Sequence, residues 1–229
     1  MIADSIAVIA AHADDEVLGC GGTIAKYVKA GCEVNVLILA DGVSSRINSD
    51  ESLTETKFLK RNDAAKRAAN VLGIKSIEVL DFPDNKMDTV ALLDIIREVE
   101  RFIETHKPKT VFTHHSGDLN IDHRIVHDAV VTACRPQPGF LVKVLLFFEV
   151  PSSTEWRPSC NYNVFHPNVF VDIPFFLEDK LKALEEYEDE LRDFPHPRSK
   201  KAVEYLARWR GASVGLKAAE AFMLGRKID

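Results

Sequence analysis

Ile6-Ala7-Val8-Ile9-Ala10-Ala11-His12-Ala13-Asp14-Asp15-Glu16 is the stretch on which the reading of this chain turns. Ile6 to Ala10 is short, uncharged and rich in β-branched residues, as suits a strand buried on both faces of a parallel sheet. At its end the polarity reverses, with one imidazole and three carboxylates between His12 and Glu16. Gly19, Gly21 and Gly22 then lead into Thr23 to Val28, which reads as a helix. Adjacent acids repel one another, and half-buried they destabilise a fold unless a cation neutralises them. A lone Asp-Asp-Glu cluster is more often a solvated helix N-terminus, favoured there by the helix dipole. The divalent-metal reading therefore needs a partner elsewhere in the chain.

Outward from this stretch the chain alternates. Val34 to Leu39 reads as a second strand, ending at Ala40-Asp41-Gly42, with a polar loop over 43–50 beside the site. A charged, Ala-rich helix is expected from about Leu53 to Leu72, with Gly73 as its C-cap. Ile77 to Leu80 is a third strand, followed by the turn 81–85. A helix from about Thr89 to His106 carries Leu92, Leu93, Ile96, Val99, Phe102 and Ile103 at the spacing of one face. Thr110 to Thr113 is a fourth strand, and the polar loop from His114 to Asp122 opens a helix from about His123 to Cys134. Strands follow at 142–150 and 168–173, then a helix near Pro174 with Leu177, Leu181, Leu184 and Leu191. A mostly helical tail is expected from Ala202 to Met223. Such alternation predicts an α/β fold, a Rossmann-like three-layer sandwich with a mostly parallel sheet, as one domain over 1–229.

Composition narrows the function. The 229 residues carry a formal net charge of −6 and a pI near 5.8, opposite to the basic footprint of a nucleic-acid binder. The N-terminus lacks a basic leader, and no apolar run is long enough to insert in a membrane. Cys20, Cys32, Cys134 and Cys160 are scattered without Cys-x-x-Cys spacing, which suits reduced thiols and a cytoplasmic location. Cys20 is near enough to the acidic cluster to be a ligand or nucleophile, but small buried packing is its commoner role.

Ligands of an open parallel sheet bind outside the carboxyl ends of its strands, so loops 11–22, 40–50, 81–88 and 114–123 are the ones to search. The last supplies the partner. His123, at a helix start, can point into the cleft of His12, and two imidazoles with one carboxylate form a ligand set typical of catalytic zinc. His114 and His115 compete with His123, and spacing does not decide among the three.

His12-Ala13-Asp14-Asp15-Glu16 with its Gly-rich continuation resembles the His-Pro-Asp-Asp-Glu signature of the PIG-L/LmbE-like zinc deacetylases. Asn120-Ile121-Asp122-His123 resembles that family's His-x-Asp-His signature. A weaker match extends to Ala219-Glu220-Ala221-Phe222. The resemblance implies removal of acetyl groups from N-acetylglucosamine units of a small sugar or glycoconjugate substrate, and homo-oligomers of the kind family members often form. Carried over by position, His12, Asp15 and His123 hold the metal and Asp14 is the general base, with Glu16 orienting the loop. Arg61 stands where the family places a sugar-facing arginine, although a solvated helix arginine is as common. His196, in the break His196-Pro197-Arg198-Ser199, is a further substrate-binding candidate that could close over the pocket.

Two departures matter. Ala13 replaces the signature proline without removing a functional group. Asn120 replaces the first histidine of the second signature; an amide can donate to an oxyanion but cannot give up a proton. The alternatives are a metal-binding but catalytically impaired carbohydrate-binding relative, and a nucleotide-binding module using glycines 19–22. The latter is disfavoured by the acidic patch ahead of them. Zinc is the expected ion, though a His, His, Asp set accepts other divalent metals.

Overall fold

A computed structural model describes residues 5–40, 42, 51–138, 142–158 and 163–229, with side chains from residue 59 onward in the second helix. The loop expected over 43–50, and Cys160, lie outside them. Strands β1 (Ser5–Ala10), β2 (Glu33–Ala40), β3 (Ser76–Phe82), β4 (Thr110–His114), β5 (Val144–Phe148), β6 (Val169–Asp172) and β7 (Ala219–Lys227) form one sheet. Its order is β3-β2-β1-β4-β5-β7-β6. The first five are parallel, and β7 runs antiparallel between β5 and β6. This is the mostly parallel α/β sandwich that the alternation predicts.

The period of two along β1 builds both layers. Ile6, Val8 and Ala10 face a core shared with α1 (Asp15–Lys29), α2 (Glu51–Leu72), α5 (Leu177–Glu185) and α6 (Lys200–Ala212). Ala7, Ile9 and Ala11 face the opposite core, filled by Ile95, Val99 and Phe102 of α3 (Leu92–His106) and Val126 and Val130 of α4 (Ile121–Ala133). Burial on both faces explains the uninterrupted apolar run. The strand order reverses between β1 and β4, so the loops after these two strands flank the crevice where such folds bind ligands.

Two expectations are corrected. Residues 11–22 do not form a loop: α1 begins at Asp15, and Gly19, Gly21 and Gly22 lie inside it. A Cβ on Gly19 would come within 2.5 Å of the Phe148 ring, and one on Gly22 within 2.6 Å of Ile173. The glycines thus let a buried helix approach the sheet closely and do not cradle a phosphate. Second, the tail is not helical to Met223. The chain leaves α6, turns through Gly215 at φ 79°, and returns as β7. Pairing with two strands far earlier in the chain outweighs the helical propensity of its Ala and Glu residues.

Within α1, the Gly22 and Thr23 amides donate to the Glu220 carboxylate at 3.0 and 2.6 Å. Lys180 Nζ donates to Leu18 O at 2.7 Å and to Glu220 Oε1 at 2.5 Å. This buried ion pair of α5 and β7 clamps the helix that carries the acidic cluster.

Candidate metal centre and active site

At the carboxyl end of β1 the chain makes a strained turn. Asp14 adopts φ 115°, ψ −26°, a conformation rare for a residue with a Cβ. The turn is held from both sides. Glu16 Oε2 accepts from the Asp14 amide at 3.1 Å, and Arg61 Nη2 donates to Ala13 O at 3.0 Å. Tyr187 donates its hydroxyl proton to Glu16 Oε1 at 2.5 Å. Burial pushes the Glu16 carboxyl up to about 7, against the Tyr187 bond. Glu16, inside α1, thus bonds back to the turn that precedes the helix.

The turn brings Asp15 under His12, and α4 brings His123 to meet them. His12 Nδ1, Asp15 Oδ2 and His123 Nε2 form a triangle with all three edges 3.2 Å long. Ligand atoms about 2.0–2.1 Å from a tetrahedral ion lie about 3.3–3.4 Å from one another, so the triangle has the size of one face of such a site. The remaining nitrogen of each imidazole meets a carboxylate. His12 Nε2 lies 3.1 Å from Asp84 Oδ1 and 3.1 Å from Asp122 Oδ2, and His123 Nδ1 lies 3.1 Å from Asp118 Oδ1. Carboxylates behind ligand histidines fix the tautomer and increase ligand basicity.

The electrostatics agree with that donor set. Asp14, Asp15, Asp84, Asp118 and Asp122 are all buried in this region. Burial works against charge on His12, but the bonds to Asp122, Asp15 and Asp84 overcome it and hold the imidazole well above its usual range. His123 is likewise raised to about 9 by Asp15 and Asp118 despite its burial. Burial alone would raise Asp15, yet the charge on His123 and the bond from His12 hold it well below the carboxylate range. So dense a carboxylate cluster draws positive charge into the pocket, and a divalent cation satisfies the same demand.

A second triplet, His12, Asp84 and Asp122, has its ligating atoms within 4.8 Å of one another. It uses the other nitrogen of the same imidazole. Asp122 also accepts from the Asn85 amide at 2.6 Å and the Met87 amide at 3.1 Å, so this group braces His12.

The structure separates the competing histidines. The Ala11 amide donates to His114 Nε2 at 2.8 Å, and the ring stacks on His123 with centroids 4.0 Å apart. Burial, aided by the charge on His123, holds His114 well below its usual range. His114 is thus a neutral support under His123. His115 faces Asn163 O at 3.3 Å and the Phe165 ring. Cys20 is buried in the apolar core.

Other predicted site residues are placed as follows. Asp14 Oδ2 accepts from Arg198 Nη1 at 2.9 Å, whereas Oδ1 has no hydrogen-bond partner. Burial raises the Asp14 carboxyl, with Arg198 opposing. Asn120 caps α4, its Oδ1 accepting from the Asp122 amide at 2.8 Å and its Nδ2 donating to Asn85 Oδ1 at 2.9 Å. Arg61 spends its terminal nitrogens on Gly42 O at 2.9 Å, Glu190 Oε1 at 2.7 Å and Ala13 O at 3.0 Å. It therefore props the turn and does not reach outward. His196 Nδ1 accepts from the Arg198 amide at 3.1 Å, and the ring meets Trp156 edge-on.

Sequence reasoning did not single out Asp84, Asp118 or Arg198. Asp118 is held by the hydroxyls of Ser153 and Thr154 and by the Asn120 amide. The Asp-rich turns after β3 and β4 were a usable signal for the first two. Arg198 lies in the break at 196–199, but nothing local ties it to Asp14, 184 positions away.

Among the described residues no helix is long and apolar enough to cross a membrane. The chain is 29% identical over 192 residues to the diacetylchitobiose deacetylase of Thermococcus kodakarensis, covering 78% of this chain and 67% of that one. It is 28% identical over 188 residues to the uncharacterized deacetylase YaiS of Escherichia coli, covering 80% and 89%. In fold it matches GalB, a 4-carboxy-2-hydroxymuconate hydratase of Pseudomonas putida, with a TM-score of 0.78, 21% identity and 99% and 98% coverage. That likeness is one of fold alone, and a fold does not dictate a reaction. The family profile described as PIG-L, GlcNAc-PI de-N-acetylase, matches residues 7–134, more than half the chain including both signatures. The chain belongs to the PIG-L family, and its named relatives here are deacetylases.

Proposed function

We propose that this protein is a zinc-dependent hydrolase that removes the N-acetyl group from an N-acetylglucosamine-type sugar or glycoconjugate. The observation that carries the reading is the 3.2 Å triangle of His12 Nδ1, Asp15 Oδ2 and His123 Nε2, beside the Asp14 carboxylate, one of whose oxygens makes no hydrogen bond. His12, Asp15 and His123 would hold the ion. Bound there, a divalent metal supplies an activated water and polarises the amide carbonyl.

The chain's own groups move the proton. Asp14 Oδ1 accepts it from the attacking water as the new carbon–oxygen bond forms. The same carboxyl returns it to the amine as the carbon–nitrogen bond breaks. Burial of Asp14 favours its protonated form, which suits that return. Asn120 retains one amide hydrogen beyond its bond to Asn85, a donor for the developing oxyanion. His196 and Trp156 would contact the sugar, and Arg61 would act through the turn it supports. Cysteines scattered without Cys-x-x-Cys spacing suit reduced thiols and a cytoplasmic location.

A second reading is favoured by Asn120, whose side chain caps α4 and offers no titratable proton. On that reading the protein binds a metal and a carbohydrate with little turnover. One experiment separates the two. Metal content is measured on the purified protein, with amine release from N,N′-diacetylchitobiose and other N-acetylglucosamine derivatives, with and without chelator. Near-stoichiometric zinc with chelator-sensitive release supports the hydrolase. Metal without release supports the second reading, and failure to bind any divalent metal overturns both.

A further inference from the structure

Arg198 is the strongest feature that the sequence left unassigned. It stands between His196 and Ser199, and Ser199 caps α6 by accepting from the Ala202 amide at 3.1 Å. Its backbone is fixed on both sides, since its own amide donates to His196 Nδ1 at 3.1 Å. The side chain then bridges two elements. Nη1 donates to Asp14 Oδ2 at 2.9 Å and Nε donates to Ser152 Oγ at 2.7 Å. Glu190 Oε2 lies 3.7 Å from the same Nη1, while Glu190 Oε1 takes Arg61 at 2.7 Å. Asp14 thus closes a ring of alternating charges, its Oδ2 bonded to Arg198 and its Oδ1, which makes no hydrogen bond, 4.0 Å from Arg61 Nη2, with Glu190 joining the two guanidinium groups.

We propose that Arg198 is the positioning residue of the Asp14 base, fixing Oδ2 so that Oδ1 alone receives the proton. The proposal rests on the deacetylase reading for its kinetic consequence, but not for its geometry. A carboxylate on a single short side chain rotates unless one oxygen is anchored. Arg198 supplies that anchor from a rigid fork held at two nitrogens. Ser152 belongs to the same turn as Ser153 and Thr154, whose hydroxyls hold Asp118 behind His123. One turn therefore braces the base and a metal ligand together. Lysine reproduces the charge of Arg198 but not the fork, which predicts partial function.

The test compares Arg198→Ala, Arg198→Lys and Ser152→Ala with the wild-type protein. Amine release is measured on the best wild-type substrate, with zinc content and a crystal structure of each zinc-loaded variant. Misplacing a catalytic group by about 1 Å can cost on the order of 100-fold, so Arg198→Ala should lose about that much kcat at nearly unchanged KM and zinc content. Arg198→Lys should recover part of the loss, as should free guanidinium added to Arg198→Ala. Ser152→Ala should show a smaller kcat loss. The Asp14 carboxyl should be rotated or disordered in the Arg198→Ala crystal. An Asp14 in its wild-type pose in that crystal, or a variant whose KM rises while kcat holds, overturns the proposal. If the wild type releases no amine, the deacetylase reading fails, and the crystallographic comparison alone decides the role of Arg198.

Discussion

His12 Nδ1 and His123 Nε2 point at each other across 3.2 Å, with Asp15 Oδ2 equidistant from both. The surrounding carboxylates favour protons on both rings, and a cation that displaces those protons takes a lone pair from each nitrogen. Asp15→Ala and His123→Ala should each abolish stoichiometric metal binding, as measured by elemental analysis of folded protein. Retention of full metal by either would remove that residue from the ligand set.

His114 should behave differently. His114→Ala removes the acceptor of the Ala11 amide and the stacking partner of His123, leaving a buried donor unsatisfied. The expected cost is about 1–3 kcal/mol in denaturant melts, with metal still bound. Complete loss of metal would make His114 a ligand after all.

Asp118 braces His123 without belonging to the triangle. Asp118→Asn should weaken metal affinity about 10–100-fold in competition titrations, the usual effect of removing a carboxylate behind a ligand histidine. An unchanged affinity would show that His123 is oriented by its stack on His114 alone.

The metal should also stabilise the fold. A ligand held at about 100 times its Kd adds about 2.7 kcal/mol to folding. Adding zinc to chelator-treated protein should therefore raise Tm in the wild type and leave Asp15→Ala unmoved. An equal rise in both would place the stabilising zinc elsewhere.

Away from the chemistry, the Lys180–Glu220 pair holds the α1 backbone at Leu18, Gly22 and Thr23. Lys180→Met strands the buried Glu220 charge and should cost about 3–5 kcal/mol in equilibrium unfolding. A change below about 1 kcal/mol would mean that the pair is easily replaced.

Much of this architecture was open to reading because its signals are local. The double-faced apolar run of β1, its switch to His12, Asp14 and Asp15, and the alternation of strands and helices are patterns within a few residues. They determined the fold class and brought His12, Asp14, Asp15 and His123 forward as candidates. What tertiary structure alone decided depends on residues remote in the chain. Ala11 reaches His114 across 103 positions and thereby takes its Nε2 out of contention. Arg198 reaches Asp14 across 184. The glycines of α1 read as a loop because their reason, contact with Phe148 and Ile173, lies on other strands and turns. Residues 219–223 read as helix because pairing with β5 and β6 leaves no trace in local propensity. Periodicity records what a residue's neighbours in sequence require; hydrogen bonds and packing are settled by neighbours in space.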